Sequence, residues 1–453
     1  MNKEVLFDGN LKAGLEQASC IQECIDTVHK AGGGRVTVCP GIYRITTLCM
    51  RSNVELHLSH GVRLEAHHDL NAYPEMPRAA RNKDQTQYHL IAAFDCENIA
   101  ITGYGTLDGQ DQAFWVPCKR KEDRPYGIFR YLVKGDHETG RPSPLIQIVQ
   151  CKNLRLSDFT MKDMAGWGLH IFNCDQVSVQ GITVRGNPYG PNTDGIGVNG
   201  SRDVRISHCD VDTGDDAIII KATNPEHVCE HITVTNCVLA SNCAALGLGA
   251  DIEGVVRDVV FTNCVVKKSL RMIQVEMWFP GQVERAIFSG ISGKNLPDEE
   301  VTNERPIYVD IQQFLRPEKK LGKVKQLVFR DILCESRGRI LLTAQDGACI
   351  EDITLDTVRV SVPEIEDPKV SVPASTSLQL SNHNFETRDV RAGLVADNVK
   401  GLILRNVCYN WPEGEGAHPS MNGVCLRNVK GLLDESPDLI SSNPQTDRVL
   451  KLA

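Results

Sequence analysis

The sequence predicts an all-β fold, a right-handed parallel β-helix, and three observations carry that prediction. Six segments repeat one pattern, a polar pair followed by apolar residues at alternate positions: they begin at Lys152, Asp175, Arg202, Glu230, Arg257 and Glu284. Their starts lie 23, 27, 28, 27 and 27 residues apart, a period that marks stacked repeats. Between them lie second alternating stretches such as Ala217-Ile-Ile-Ile and Leu246-Gly-Leu-Gly, and no long helical pattern intervenes.

Each element follows from that frame. A short strand with one apolar face cannot bury that face alone, so successive copies must stack. Equivalent positions then form columns: Leu154, Val177, Val204, Ile232, Val259 and Ala286; Leu156, Val179, Ile206, Val234, Phe261 and Phe288; and Phe159, Ile182, Cys209, Cys237, Cys264 and Ile291. Weaker copies begin at Glu97, Lys325, Glu351 and Lys400. A leucine-rich repeat would show LxxLxLxxN, and a propeller needs roughly 40 residues per blade. Residues 19–30 read as a capping helix, with Ser19 and Gln22 as a capping box and Ile21, Cys24, Ile25 and Val28 on one face. Composition shows no linker, so a single domain over 1–453 is expected, with the N-terminal cap at about 1–35 and long loops at about 110–145 and 362–392.

Composition limits the function classes. The chain has 453 residues, 41% hydrophobic, which excludes general disorder. Its 58 acidic against 49 basic residues, with no Lys/Arg-dense stretch, argue against nucleic acid as a partner. No apolar run is long enough to span a membrane, and the start lacks a secretory core, so a cytoplasmic location and no membrane partner are expected. Seventeen cysteines, an odd count without a CxxC pair, read as buried thiols rather than a disulfide or zinc framework.

The candidate chemistry sits in the central coils, in Asn192-Thr-Asp194-Gly and Gly214-Asp215-Asp216. Alignment of the second strands places Trp167, Asp194, Asp216, Ala244 and Arg271 in one column. Asp194 and Asp216 are then rung neighbours about 4.8 Å apart, with Asp215 beside them. Three such carboxylates repel, raising at least one pKa, as a site needs when one acid stays protonated and another ionised. The competing reading is that Asn-Thr-Asp-Gly and Gly-Asp-Asp are turn sequences; convergence on neighbouring rungs favours function.

At these residues the sequence resembles glycoside hydrolase family 28, the polygalacturonase and rhamnogalacturonase family of parallel β-helices. Gly32-Gly-Gly-Arg-Val-Thr-Val-Cys-Pro-Gly-Ile-Tyr43, Gly103-Tyr-Gly-Thr-Leu-Asp-Gly-Gln110 and Arg141-Pro-Ser-Pro-Leu-Ile also look like the family's coils. The resemblance implies Asp216 as general acid, Asp194 and Asp215 as the pair that positions and deprotonates water in an inverting hydrolysis, and neither metal nor cofactor. Two family motifs are absent. Gly-His-Gly is replaced by Cys243-Ala244-Ala245, and Arg-Ile-Lys by Gln274-Val275-Glu276. In polygalacturonases that basic pair holds a uronate carboxylate, so Glu276 argues against homogalacturonan unless Arg271, Lys221 or a loop arginine supplies the cation.

Gln274 and Glu276 read either as a solvated strand face or as partners for the hydroxyls of a neutral sugar. Trp167 and Trp278 read as sugar platforms or as packing. His170 is a candidate substrate contact whose alternation favours a structural role. Asn192 completes the candidate substrate-binding set. The basic loop 113–124 reads as a solvated loop. The partner expected is an oligosaccharide, pectin-derived with rhamnogalacturonan-type or neutral-sugar ends, cleaved in exo fashion. Alternatives are an exo-polygalacturonase, a β-helix polysaccharide lyase or fructosyltransferase-type enzyme, and a non-catalytic sugar binder.

Overall fold

A computed structural model of the chain describes residues 3–8, 16–79, 85–120, 123, 129–296, 304–313, 320–363, 390–412, 421–443 and 445–452. The chain is a right-handed parallel β-helix, in which short strands pair in parallel with the equivalent strands of the next coil. Two compact units are formed: Met1–Ile218 with Glu230–Ile232, and Ile219–Cys229 with Thr233–Ala453.

In the first unit the predicted columns are the observed register. Leu154 pairs with Val177 and Val177 with Val204, while Leu156 pairs with Val179 and Val179 with Ile206. All of these are buried. The polar pair that opens each repeat has a conformational cause. Its second member turns the chain through the left-handed region, with φ of 56° at Asn98, 57° at Asn153, 58° at Gln176 and 55° at Asp203. Asn and Asp tolerate that region best among non-glycine residues. Asn98 also donates to Asn53 at 2.8 Å, and Asn153 to Asn98 at 2.7 Å, so the corner is laced along the stack.

The second unit repeats the scheme. Val259, Ala286, Leu327 and Ile353 form one column, and Phe261, Phe288, Phe329 and Leu355 another. The three phenylalanine rings stack nearly parallel at 4.8 and 5.2 Å. Cys237 and Cys264 are buried there, as Cys209 is in the first unit, and all 17 cysteines are free thiols.

The cap differs in detail from expectation. The helix spans Glu16–Lys30, so Ser19 lies inside it and is not its N-cap. Gln22 is turned outward to the sheet instead, donating to the Cys49 carbonyl at 3.0 Å and accepting from the Cys49 amide at 2.7 Å. Ile21, Ile25 and Val28 are fully buried, as the apolar face predicts. Lys3–Phe7 is a strand paired with Gly34–Val38, which nothing in the repeat pattern announces. The first long loop contains an antiparallel ribbon, Trp115–Pro117 against Tyr131–Val133. The second, 362–392, falls mostly outside the described residues.

Candidate active site

In the first unit the strands Leu169–Phe172 and Ile196–Asn199 pair with Leu169 opposite Ile196. Each is preceded by a turn whose backbone joins the ladder: the Gly168 amide donates to the Asp194 carbonyl at 2.8 Å, and the Gly195 amide to the Asp216 carbonyl at 2.8 Å. Trp167, Asp194 and Asp216 therefore occupy successive rungs. Gly195 is required by this approach, because a Cβ there would lie 2.5 Å from the Ala217 carbonyl. Asp194 and Asp216 keep 6% and 7% of their surface exposed, and Asp215 is half-buried.

Hydrogen bonds fix both turns. The Asp215 carboxylate accepts from the Asp216 amide at 2.9 Å, and the Asp215 carbonyl accepts from the Thr213 hydroxyl at 2.8 Å. Thr193 links the two acidic turns: its hydroxyl donates to the Asn187 carbonyl at 3.0 Å and accepts from the Gly214 amide at 3.0 Å. Asn192 stands at φ 54°, and its side-chain oxygen faces an Arg141 amino group at 3.5 Å. The same segments thus make tight turns and set three carboxylates on two adjoining rungs.

Trp167 is buried, with its ring edge-on to His170 at 5.2 Å. His170 is 2% exposed. Its Nδ1 meets the Gln147 oxygen at 3.0 Å and the Gln85 amide at 3.2 Å, and its Nε2 meets the Asn199 amide at 3.5 Å. The ring is held as part of a buried polar ladder, in line with the structural role that its alternation favours.

Asp111, at the start of the first long loop, was not anticipated. It is buried, and burial together with the Asp163 carboxylate pushes its pKa up to about 6, against hydrogen bonds from Gln112 and Asn187. His89 is also buried. Loss of solvation draws its pKa down to about 4, although its Nδ1 meets the Pro144 carbonyl at 2.9 Å.

In the second unit, Ala244 pairs with Arg271, Gln274 with Tyr308 and Glu276 with Asp310. The solvated-face reading of Gln274 and Glu276 is overturned, for they are 2% and 1% exposed. Arg271 donates to the Gln274 oxygen at 2.7 Å and pairs with Glu276 at 3.7 Å. Trp278, half-buried, donates its indole N–H to Glu276 at 2.9 Å, and the Tyr308 hydroxyl donates to it at 3.4 Å. The guanidinium also lies 5.5 Å from the Tyr308 ring centre. The charge of Glu276 is thereby answered inside the protein, and Arg271 is committed to it. Lys221 faces Asp251 at 3.5 Å. In the basic loop, Arg120 is exposed and pairs with Asp123 at 3.0 Å, while Arg124 lies outside the described residues.

Fold and central coils together make a parallel β-helix that sets an acidic triplet on neighbouring rungs. The chain belongs to glycosyl hydrolases family 28, which it matches over residues 51–377. It is 21% identical over 308 residues to an exopolygalacturonase of Platanus acerifolia, covering 67% of this chain and 76% of that protein. It spans about half the length (43% to 52%) of plant relatives from Arabidopsis thaliana and Vitis vinifera that it matches at 25% to 28% identity. The hyperthermoactive exopolygalacturonase of Thermotoga maritima shares the fold, with a TM-score of 0.70 at 20% identity over 90% of this chain and 92% of that one. So does the family 28 exopolygalacturonase of Yersinia enterocolitica, with a TM-score of 0.72 at 17% identity over 96% of this chain and 79% of that one.

Proposed function

We propose that the protein is an inverting glycoside hydrolase that removes terminal units from pectin-derived oligosaccharides. The observation that carries this reading is the rung adjacency of Asp194 and Asp216 with Asp215 beside them, in a chain of family 28. Asp216 donates its proton to the glycosidic oxygen as the bond to the anomeric carbon breaks. Asp194 and Asp215 hold a water on the opposite face of the ring and take its proton, so the new C–O bond forms with inverted configuration. The exo mode is supported by the Platanus acerifolia relative, which is named an exopolygalacturonase.

The preferred substrate end is neutral or rhamnogalacturonan-type. Where the resemblance assigns a basic pair to uronate recognition, this chain carries Gln274 and a Glu276 that occupies Arg271. A second reading, exo-polygalacturonase, is favoured by the same relative and requires another cation for the uronate.

The test is reducing-sugar release from a panel comprising oligogalacturonates, rhamnogalacturonan oligosaccharides and neutral-ended pectic fragments, with Asp216→Asn as the control. Loss of the general acid should lower the rate roughly 10²- to 10⁴-fold with the fold intact. Equal activity of the two proteins removes the hydrolase reading, and a preference for oligogalacturonates selects the second.

A further inference from the structure

Arg141 is the largest fully buried side chain of the first unit, and neither the repeat nor the acidic triplet accounts for it. It stands at the end of the first long loop, in Gly140-Arg-Pro-Ser-Pro. One amino group donates to the Ala165 carbonyl at 3.0 Å and to the Pro191 carbonyl at 2.5 Å. The other meets the Asn192 side-chain oxygen at 3.5 Å and the His137 Nε2 at 3.1 Å. A guanidinium only donates, so His137 accepts there.

His137 lies in the same long loop as Arg141, and the other partners belong to two successive coils. Ala165 lies in the turn before Leu169–Phe172, and Pro191 and Asn192 in the turn before Ile196–Asn199. The guanidinium therefore bridges the turn that carries Trp167 to the turn that carries Asp194. Gly166 wraps it closely, since a Cβ there would lie 3.2 Å from the guanidinium carbon.

We infer that Arg141 is a positioning residue of the acidic cluster: its fork ties the Ala165 and Pro191 carbonyls and the Asn192 side chain into one mount for Asp194. The inference rests on the proposed role of Asp194 in the reaction. Burying a guanidinium costs solvation that an apolar side chain of similar length would not. What that side chain lacks is a planar set of donors able to reach two carbonyls and an amide oxygen at once. Lysine could fill the space and keep the charge, but it is a point donor on a flexible stem.

The test compares Arg141→Met and Arg141→Lys with the wild type in two measurements. Amide hydrogen exchange, read by mass spectrometry without substrate, should accelerate about tenfold or more in peptides covering 187–195 in both variants, while peptides covering Asp175–Gln180 stay protected. On the best substrate of the panel, kcat should fall roughly 10²-fold for Met with KM changed less than about threefold, the pattern of misplaced reacting groups, and Lys should recover less than a tenth of the loss. Wild-type exchange at 187–195 in a folded variant overturns the inference, as does a kcat unchanged by Arg141→Met. If Met prevents folding, unaltered exchange in Lys overturns it equally. Wild-type inactivity on every substrate, with exchange raised in the variants, removes the proposed function while leaving the mount in place.

Discussion

Replacing Glu276 by Met while leaving Arg271 in place should destabilise the protein by about 4 kcal/mol. Arg271 and Glu276 are 3% and 1% exposed and 3.7 Å apart. Two unit charges at that distance attract by about 4–5 kcal/mol at an effective dielectric of 20, and removing one partner of a buried pair costs about 3–5 kcal/mol. The reciprocal Arg271→Met should cost less, about 2–3 kcal/mol, because the carboxylate keeps the Trp278 and Tyr308 donors. The double variant buries no unpaired charge and should fall within about 1–2 kcal/mol of wild type. Urea unfolding followed by tryptophan fluorescence measures all three, and Trp278 sits directly on the pair. A single variant within about 0.5 kcal/mol of wild type, or losses that simply add in the double, would refute the claim that these two charges are mutually dependent.

Two buried groups in the first unit predict pH dependences of opposite sign. His89 has its folded pKa drawn to about 4, below its ordinary value of 6.5, so the unfolded chain binds more protons between those values and stability falls with acid. Going from pH 7 to pH 5 should cost about 2 kcal/mol on this account, and His89→Gln should remove that share of the slope in urea titrations at the two pH values. Asp111 has its folded pKa raised to about 6, so it penalises the folded state as pH rises from about 4 through 6 and beyond. Asp111→Asn should therefore stabilise by about 2–3 kcal/mol at pH 7 and by less than about 1 kcal/mol at pH 4, a difference that thermal melts at both pH values would expose.

The stacking columns were legible in the sequence because a period near 27 superimposes alternating strands, and Val177 can only sit where Leu154 and Val204 sit. The same logic placed Trp167, Asp194 and Asp216 on successive rungs. What the repeat could not show is what covers the outer face of a strand. Gln274 and Glu276 point away from the coil's core, and polar residues in that position read as solvated until the burial and the Arg271, Trp278 and Tyr308 contacts are seen. Arg141 was hidden for a related reason. Two of its partners are main-chain carbonyls of coils 24 and 50 residues away, and a carbonyl leaves no trace in side-chain pattern. The strand Lys3–Phe7 precedes the first repeat and has no earlier copy to align with. Ser19 and Gln22 matched a capping box by spacing alone, and the helix began three residues earlier than Ser19, at Glu16.

The most direct test of the account is the anomeric configuration of the first product, followed by proton NMR as the wild-type protein cleaves a pectic oligosaccharide. The three-carboxylate arrangement predicts that the newly freed reducing end appears with the configuration opposite to that of the broken bond, and that with Asp216→Asn the signal grows roughly 10²- to 10⁴-fold more slowly. Product appearing first with retained configuration, or at the same rate from the variant, would contradict it.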